Sequence, residues 1–316
     1  MSEREDLWPL WPGRALQTRR RAARRRRALA GSAILLVLAL VMVVVATAGG
    51  SHPAGVIGRH RESVRLDERG QAGHRAGISG RRTSGLLARE NRAIDRLLAR
   101  QSFISVGGRE RREIALSFDD GPGPYTPRLL DQLNRLRVPA TFFEIGFMIH
   151  YFHAALTREL HMHAVIGDHT EIHPMMAALS PAAQASQILT QTGQLARYRA
   201  PFPRLYRPPY GSFNPATFAI LHHLRMLMVL WSVDTDDYLQ PGVAVIVHRA
   251  LAGAQPGAII LMHDAGGTRT QTIAALPLIV HALRHRGYKL VTIPQLILQD
   301  PPTGRVPATP TNLSGG

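Results

Sequence analysis

Glu113–Pro122 reads EIALSFDDGP, an apolar, β-prone run stopped abruptly by two acids and a Gly-Pro turn. Tyr125–Leu136 follows, with Pro127 in its first turn and Leu129, Leu130, Leu133 and Leu136 recurring on one side, the pattern of an amphipathic helix. Thr141–Ile145 is again short and apolar. The alternation continues: strands are expected at Ala164–Ile166, Leu205–Arg207, Leu227–Val233, Ala258–Met262 and Lys289–Thr292, with helices over 181–198, 214–224, 242–253 and 271–286. Strand–helix alternation of this kind builds a parallel sheet or barrel whose active groups collect at strand C-terminal ends. About 190 residues are short for eight full units, so the expected fold is α/β, an irregular, incomplete (β/α) barrel over 113–300.

Upstream the composition changes. Residues 1–27 form a basic tail ending in RRRAARRRR at Arg19–Arg27, and residues 28–48 are uniformly apolar or small. At about 1.5 Å per residue these 21 positions cross roughly 30 Å, the hydrocarbon core of a bilayer. Arginine before the span and none after it until Arg59 places the N-terminus in the cytoplasm and the rest outside. The competing reading is a signal peptide cleaved after Ala46-Thr47-Ala48. Signal-peptide apolar regions run only about 7–15 residues, which favours a retained anchor in membrane lipid.

Residues 49–112 read as an Arg-rich linker and stalk. Within them, 49–82 lack an apolar period, and 84–101 are helical in pattern, with Leu87, Ile94 and Leu98 on one face and Arg89, Arg92, Arg96 and Arg100 on the other. This helix either packs on the following domain or lies on anionic lipid or wall polymer. Residues 301–316, rich in Pro, Gly and Thr, are expected to be disordered.

Composition narrows the chemistry. The 316 residues, 45% hydrophobic, suffice for one sizeable core. The absence of cysteine excludes disulfides, thiol nucleophiles and iron–sulfur clusters, so any metal must sit on His, Asp or Glu. The net charge of +16 is concentrated in residues 1–112, which hold 23 of the 38 basic residues and 9 of the 22 acidic ones. The remainder is nearly neutral, which argues against nucleic-acid binding there.

Charge or an ionisable ring follows five of the expected strands. Asp119-Asp120 is a carboxylate pair, stable when buried only beside a cation or a proton. His169 and His173, in DHTEIH, are four apart; on a helical turn that spacing would let both rings face one metal, although Glu171 lies at the wrong offset to act as base. Arg207-Pro208-Pro209-Tyr210-Gly211 makes the Tyr210 amide the first donor after two prolines, a candidate oxyanion contact. Asp234-Thr235-Asp236-Asp237-Tyr238 ends a buried run, and His263-Asp264 ends AIILMHD. Each taken alone has an ordinary structural reading, as a solvated turn or a satisfied core residue. Five in order along one sheet do not.

FDDGP, HTxxH, RPPYG, DxxD and LMHD, in that order, make Glu113–Leu298 resemble the polysaccharide deacetylases, the NodB-homology domain of carbohydrate esterase family 4. The resemblance implies a barrel with a metal at the strand C-termini. It implies that Asp120, His169 and His173 hold one divalent ion, zinc first and cobalt or nickel otherwise. Asp119 is then the base, Arg207 its partner, His263 the acid and Asp237 the carboxylate that orients and charges it. The Tyr210 amide meets the oxyanion, Leu261 walls the acetyl pocket and Tyr238 stands where the family commonly has Trp. Asp168 replaces a usual Asn. The implied activity is N-deacetylation of an extracytoplasmic amino-sugar polymer, peptidoglycan favoured and chitin oligomers next. The alternatives are an O-acetyl xylan esterase and a catalytically silent glycan-binding wall protein.

Overall fold

The computed structural model describes the backbone over residues 73–303 and side chains from Ser84. The basic tail, the 28–48 segment, the linker up to residue 72 and the end of the chain from residue 304 lie outside the described residues. Among the described residues no helix is long and apolar enough to cross a membrane. Contacts separate Leu16–Arg82 from the unit containing Thr83–Gly316, to which every side chain discussed below belongs.

Elements run in the order α1 (Gly73–Leu98), β1 (Phe103–Ile104), β2 (Glu113–Asp119), α2 (Thr126–Leu136), β3 (Thr141–Glu144), α3 (Gly146–His161), β4 (Val165–Asp168) and α4 (Pro181–Arg197). There follow β5 (Leu205–Tyr206), α5 (Pro215–Leu224), β6 (Leu227–Val229), β7 (Val233–Asp234), α6 (Val243–Ala252), β8 (Ile259–His263), α7 (Thr270–His285), β9 (Lys289–Val291) and α8 (Ile293–Gln299). All strand pairs are parallel, in the order β1-β6-β5-β4-β3-β2-β8-β7, with β9 on the first half of β2. The sheet curls into an incomplete barrel, and an antiparallel bridge joins Val106, just after β1, to Ala258, just before β8.

Strand alternation sorts the residues into two layers. On β2, Ile114, Leu116 and Phe118 pack outward under the helices. Ala115 packs inward with Phe143, Leu205, Val229, Ile259 and Val291. Above this apolar floor the inner face becomes polar at Ser117 and Asp119.

Three expectations are corrected here. Leu227–Val233 is not one strand. β6 pairs with β1 and β5, β7 pairs with β8, and the chain changes partners across Leu230–Ser232. The carbonyls of Val229 and Leu230 are taken by the Arg207 guanidinium, so no ladder forms there. Second, the helix expected from 84 starts at Gly73, inside the stretch read as linker, because lengthening a helix already nucleated costs little per residue. Third, the stalk helix packs on the following domain, one of its two expected readings, but through a different stripe. Ala93, Ile94 and Leu97 of α1 join the barrel's inner cluster, and burial of Ile94 contributes about 1.5–3 kcal/mol. The buried stripe is rotated from the one expected: Glu90 and Ala93 lie in it, whereas Leu87 stays 43% exposed. Leucine spacing alone does not reveal a stripe that includes Ala93. Arg89, Arg92, Arg96 and Arg100 are exposed as expected. The sequence reading also missed β1, α3 and α8.

Candidate active site

Alternation along the strands delivers the groups of the groove. Ser117 and Asp119 of β2 share the inner face with Leu261 and His263 of β8. The register pairs Asp119 with His263, setting acid and imidazole side by side at the strand ends. Arg207, one step past β5, is wholly buried. Its Nη1 donates to Asp119 Oδ1 at 2.7 Å and to Ser117 Oγ at 2.9 Å, and its Nε donates to the Val229 carbonyl at 3.1 Å. The guanidinium lies 4.1 Å from the centroid of the Phe143 ring. Burial raises the Asp119 pKa and lowers that of Arg207, and in each case the partner's opposite charge works against burial.

Asp120 adopts a left-handed backbone, φ 76°, at the start of the turn. The loop after β8 closes over it at Gly266, where a Cβ would sit 2.2 Å from Asp120 Oδ2, so only glycine fits. The two histidines are not on a helical turn. Residues 169–173 form an irregular loop after β4, with Thr170 and His173 at φ 71° and 58°. Asp168 Oδ1 accepts the Thr170 N–H at 2.8 Å, and Thr170 Oγ1 accepts the His173 N–H at 3.0 Å. These side-chain bonds replace the helical ladder and bring the ring centroids to 4.9 Å. Asp168 is therefore buried as the tie of this loop and does not face solvent.

His169 Nδ1 lies 2.7 Å from the Arg207 carbonyl oxygen, which can only accept. Nδ1 thus carries the hydrogen and Nε2 presents its lone pair. Burial pushes the His169 pKa down to about 3, so the ring is neutral. Nε2 of His169 and of His173 lie 3.7 and 3.2 Å from Asp120 Oδ1. One ligating atom from each of the three residues lies within 4.8 Å of the others, and Asp120 Oδ1 is buried without a hydrogen-bond partner. Two imidazole nitrogens and a carboxylate oxygen turned on one point are a donor set that fits a divalent metal with open positions.

Across the groove, His263 Nδ1 lies 2.7 Å from Asp237 Oδ1, and the His263 amide donates to Asp237 Oδ2 at 3.0 Å. Thr272 Oγ1 donates to the same Oδ2 at 2.6 Å. Burial alone would depress the imidazolium, but the charge and hydrogen bond of Asp237 outweigh it and push the His263 pKa up to about 9. Asp237, despite its own burial, is held below the usual carboxylate range by His263, Arg269 and Thr272. Its neighbours do other work: Asp234 Oδ1 accepts the Asp236 N–H, and Asp236 pairs with Arg249 at 2.8 Å.

Tyr210 sits at φ 58° in a 3₁₀ turn, its ring centroid 4.5 Å from that of His173. Tyr238 lies edge-on to His263 at 5.3 Å, half-buried. Leu261 lies two residues below His263 on the same face and is buried. All ten residues singled out in the sequence thus form one connected group. Sequence reading missed Ser117, Thr170 and Thr272. Ser117 was recoverable, being two positions before Asp119; Thr272 carried no signal, because it reaches Asp237 from a helix 35 positions away.

A family model for polysaccharide deacetylase matches residues 107–229. A chitooligosaccharide deacetylase of Bradyrhizobium sp. (strain ANU 289) is 36% identical over 211 residues, covering 62% of this chain and 95% of that protein. A peptidoglycan-N-acetylglucosamine deacetylase of Bacillus cereus is 38% identical over 190 residues, covering 58% of this chain and 87% of that protein. Among solved structures, a peptidoglycan N-acetylglucosamine deacetylase in complex with 4-naphthalen-1-yl-N-oxidanyl-benzamide aligns with a TM-score of 0.61 at 32% identity, covering 63% of this chain and 94% of that one.

Proposed function

The chain belongs to the polysaccharide deacetylase family, and from that premise we propose that it is a metal-dependent hydrolase removing N-acetyl groups from an extracytoplasmic amino-sugar polymer. Peptidoglycan is the first substrate and chitin oligomers the second, in keeping with the relatives' named substrates and with an anchor at 28–48 that would hold the domain beside the wall. The observation that carries the reading is that Asp119 stands between the Asp120–His169–His173 group and the His263–Asp237 pair, salt-bridged to Arg207.

Asp120, His169 and His173 would hold the ion, zinc in the first instance, with cobalt or nickel as substitutes. When bound it supplies Lewis acidity toward a carbonyl oxygen and makes water more acidic. Asp119 accepts the proton of the attacking water. Burial makes it more basic than an ordinary carboxylate, and Arg207 holds it ionised between turnovers. The backbone N–H of Tyr210 donates to the carbonyl oxygen as negative charge grows there. His263, charged at neutral pH, delivers the Nε2 proton to the leaving nitrogen as the C–N bond breaks, giving acetate and a free amine. Asp237 orients and charges that ring, Leu261 lines the space for the acetyl methyl, and Tyr238 offers a face to a sugar ring.

The test is acetate release by the full chain from GlcNAc oligomers and peptidoglycan, with acetylated xylan alongside and a chelator added and reversed. Chelator-sensitive release from the amino sugars is expected. Release from xylan alone makes the chain an esterase. No release from any of them makes it a glycan-binding protein.

A further inference from the structure

A second convergence of acids lies on the opposite face of the sheet and takes no part in the reaction. Alternation turns Glu144, the residue after inward-facing Phe143, into the layer between sheet and helices. There it meets Glu159 of α3 and Asp264, the residue after His263. One carboxylate oxygen from each lies within 4.8 Å of the others, and all three side chains are wholly buried. Both oxygens of Glu144, both of Glu159 and Oδ1 of Asp264 have no hydrogen-bond partner. The remaining oxygen, Asp264 Oδ2, accepts from Thr126 Oγ1. Among the described residues no cation acts on Glu144 or Glu159 as Arg207 acts on Asp119; on Asp264 the Thr126 hydrogen bond and the His263 charge work against burial. Burial and the negative charge of Asp264 are what act on Glu159, and the neighbours of Glu144 that act on it are all carboxylates.

We propose that Glu144, Glu159 and Asp264 form a structural site for a hard divalent cation, calcium in the first instance, separate from the Asp120–His169–His173 group. Buried anions need a counter-charge, and five buried oxygens without donors mark where it belongs. An all-oxygen donor set suits calcium and magnesium rather than the nitrogen-seeking metals of the histidine site. Calcium accepts an irregular carboxylate cage with metal–oxygen distances of about 2.3–2.6 Å, whereas magnesium demands an octahedron and usually keeps several waters. A wholly buried cage of three carboxylates favours calcium. An ion there ties α3 to the loop directly behind His263, and so steadies the strand end that presents the imidazole.

The site stands on its own geometry and not on the deacetylase reading, so the experiment reads binding and stability. The full chain is stripped with a chelator, zinc is restored to occupy the histidine site, and calcium is titrated while bound metal and thermal unfolding are followed. One calcium per chain is expected, with a rise in Tm. Glu159→Gln and Glu144→Gln should each lose about 100-fold in calcium affinity while zinc content is unchanged. A wild-type chain that binds no calcium at equilibrium and unfolds at the same temperature with and without it overturns the proposal. So does a Glu159→Gln chain that binds calcium as the wild type does. The wild-type measurement decides even if a variant fails to fold.

Discussion

Asp119 and Glu144 end adjacent parallel strands and are buried to nearly the same degree, one facing the groove and the other the helices. Asp119 has a guanidinium at 2.7 Å that is itself held by Ser117 and two carbonyls. Glu144 has no donor at either oxygen. Burial therefore does not set the two apart; compensation does. On the inner face the two groups flanking the groove have charged partners, Arg207 for Asp119 and Asp237 for His263. On the outer face three acids push one another toward neutrality, and only a proton or an ion from outside can relieve them. An inner-face group can thus be given a chemical task, while the outer cluster can serve only as a holder.

Four substitutions would break or sharpen this contrast. The largest effect is expected from Asp119→Asn, which keeps the Arg207 contact but cannot accept a proton. Acetate release should fall by about 10²–10⁴-fold with bound metal unchanged; undiminished release would remove Asp119 as the base. Next, Arg207→Met leaves Asp119 buried without a counter-charge and should cost about 3–5 kcal/mol in urea unfolding. Adding Asp119→Asn should recover part of that loss. A chain as stable as the wild type would show that compensation does not hold the groove together.

The third test is pH. His263 keeps its proton up to about pH 9 in the folded chain, against about 6.5 when free. Its ion pair with Asp237 therefore stabilises fully below about pH 6.5, and that contribution disappears as pH rises through about 9. Activity that depends on the His263 proton should fall over the same upper range. Asp237→Asn should move the alkaline limb of the kcat profile down by more than one pH unit, and an unmoved limb would assign it to another group. The smallest effect belongs to Thr272→Val, which removes one of the three hydrogen bonds on Asp237. It should cost about 1 kcal/mol of stability and shift the alkaline limb in the same direction by less than Asp237→Asn does.

Much of this could be read before any coordinates, and the reason is local. The run ending at Asp119-Asp120 announced both a strand and its end; Leu261 came from the family resemblance, and Ser117, two positions before Asp119, was passed over although a period of two would have placed it. The histidine pair was read correctly as convergent but for the wrong cause. Its spacing suggested a helical turn, whereas Asp168 and Thr170 bend an irregular loop to the same effect. The 227–233 run looked like one strand because hydrophobicity does not show that its middle carbonyls are claimed by Arg207. Ile94 was placed on the buried face, but Ala93 and Glu90 were not, since what the helix would pack against was unknown. Glu144 and Glu159 carry no signal in the sequence: a lone glutamate at a strand end and another in a helix look like solvated charge.

The sequence by itself determined where β2 and β8 end and that side chains alternate along them, because side-chain direction along a strand depends only on its neighbours in the chain. Tertiary structure alone decided which group stands opposite which. Parallel register set Asp119 beside His263, and sheet curvature carried Arg207 across to Asp119, 88 positions away. Partnership between buried charges depends on distances of a few ångströms between remote segments. Those distances arise only when the ladder and the packing of the layers are satisfied together.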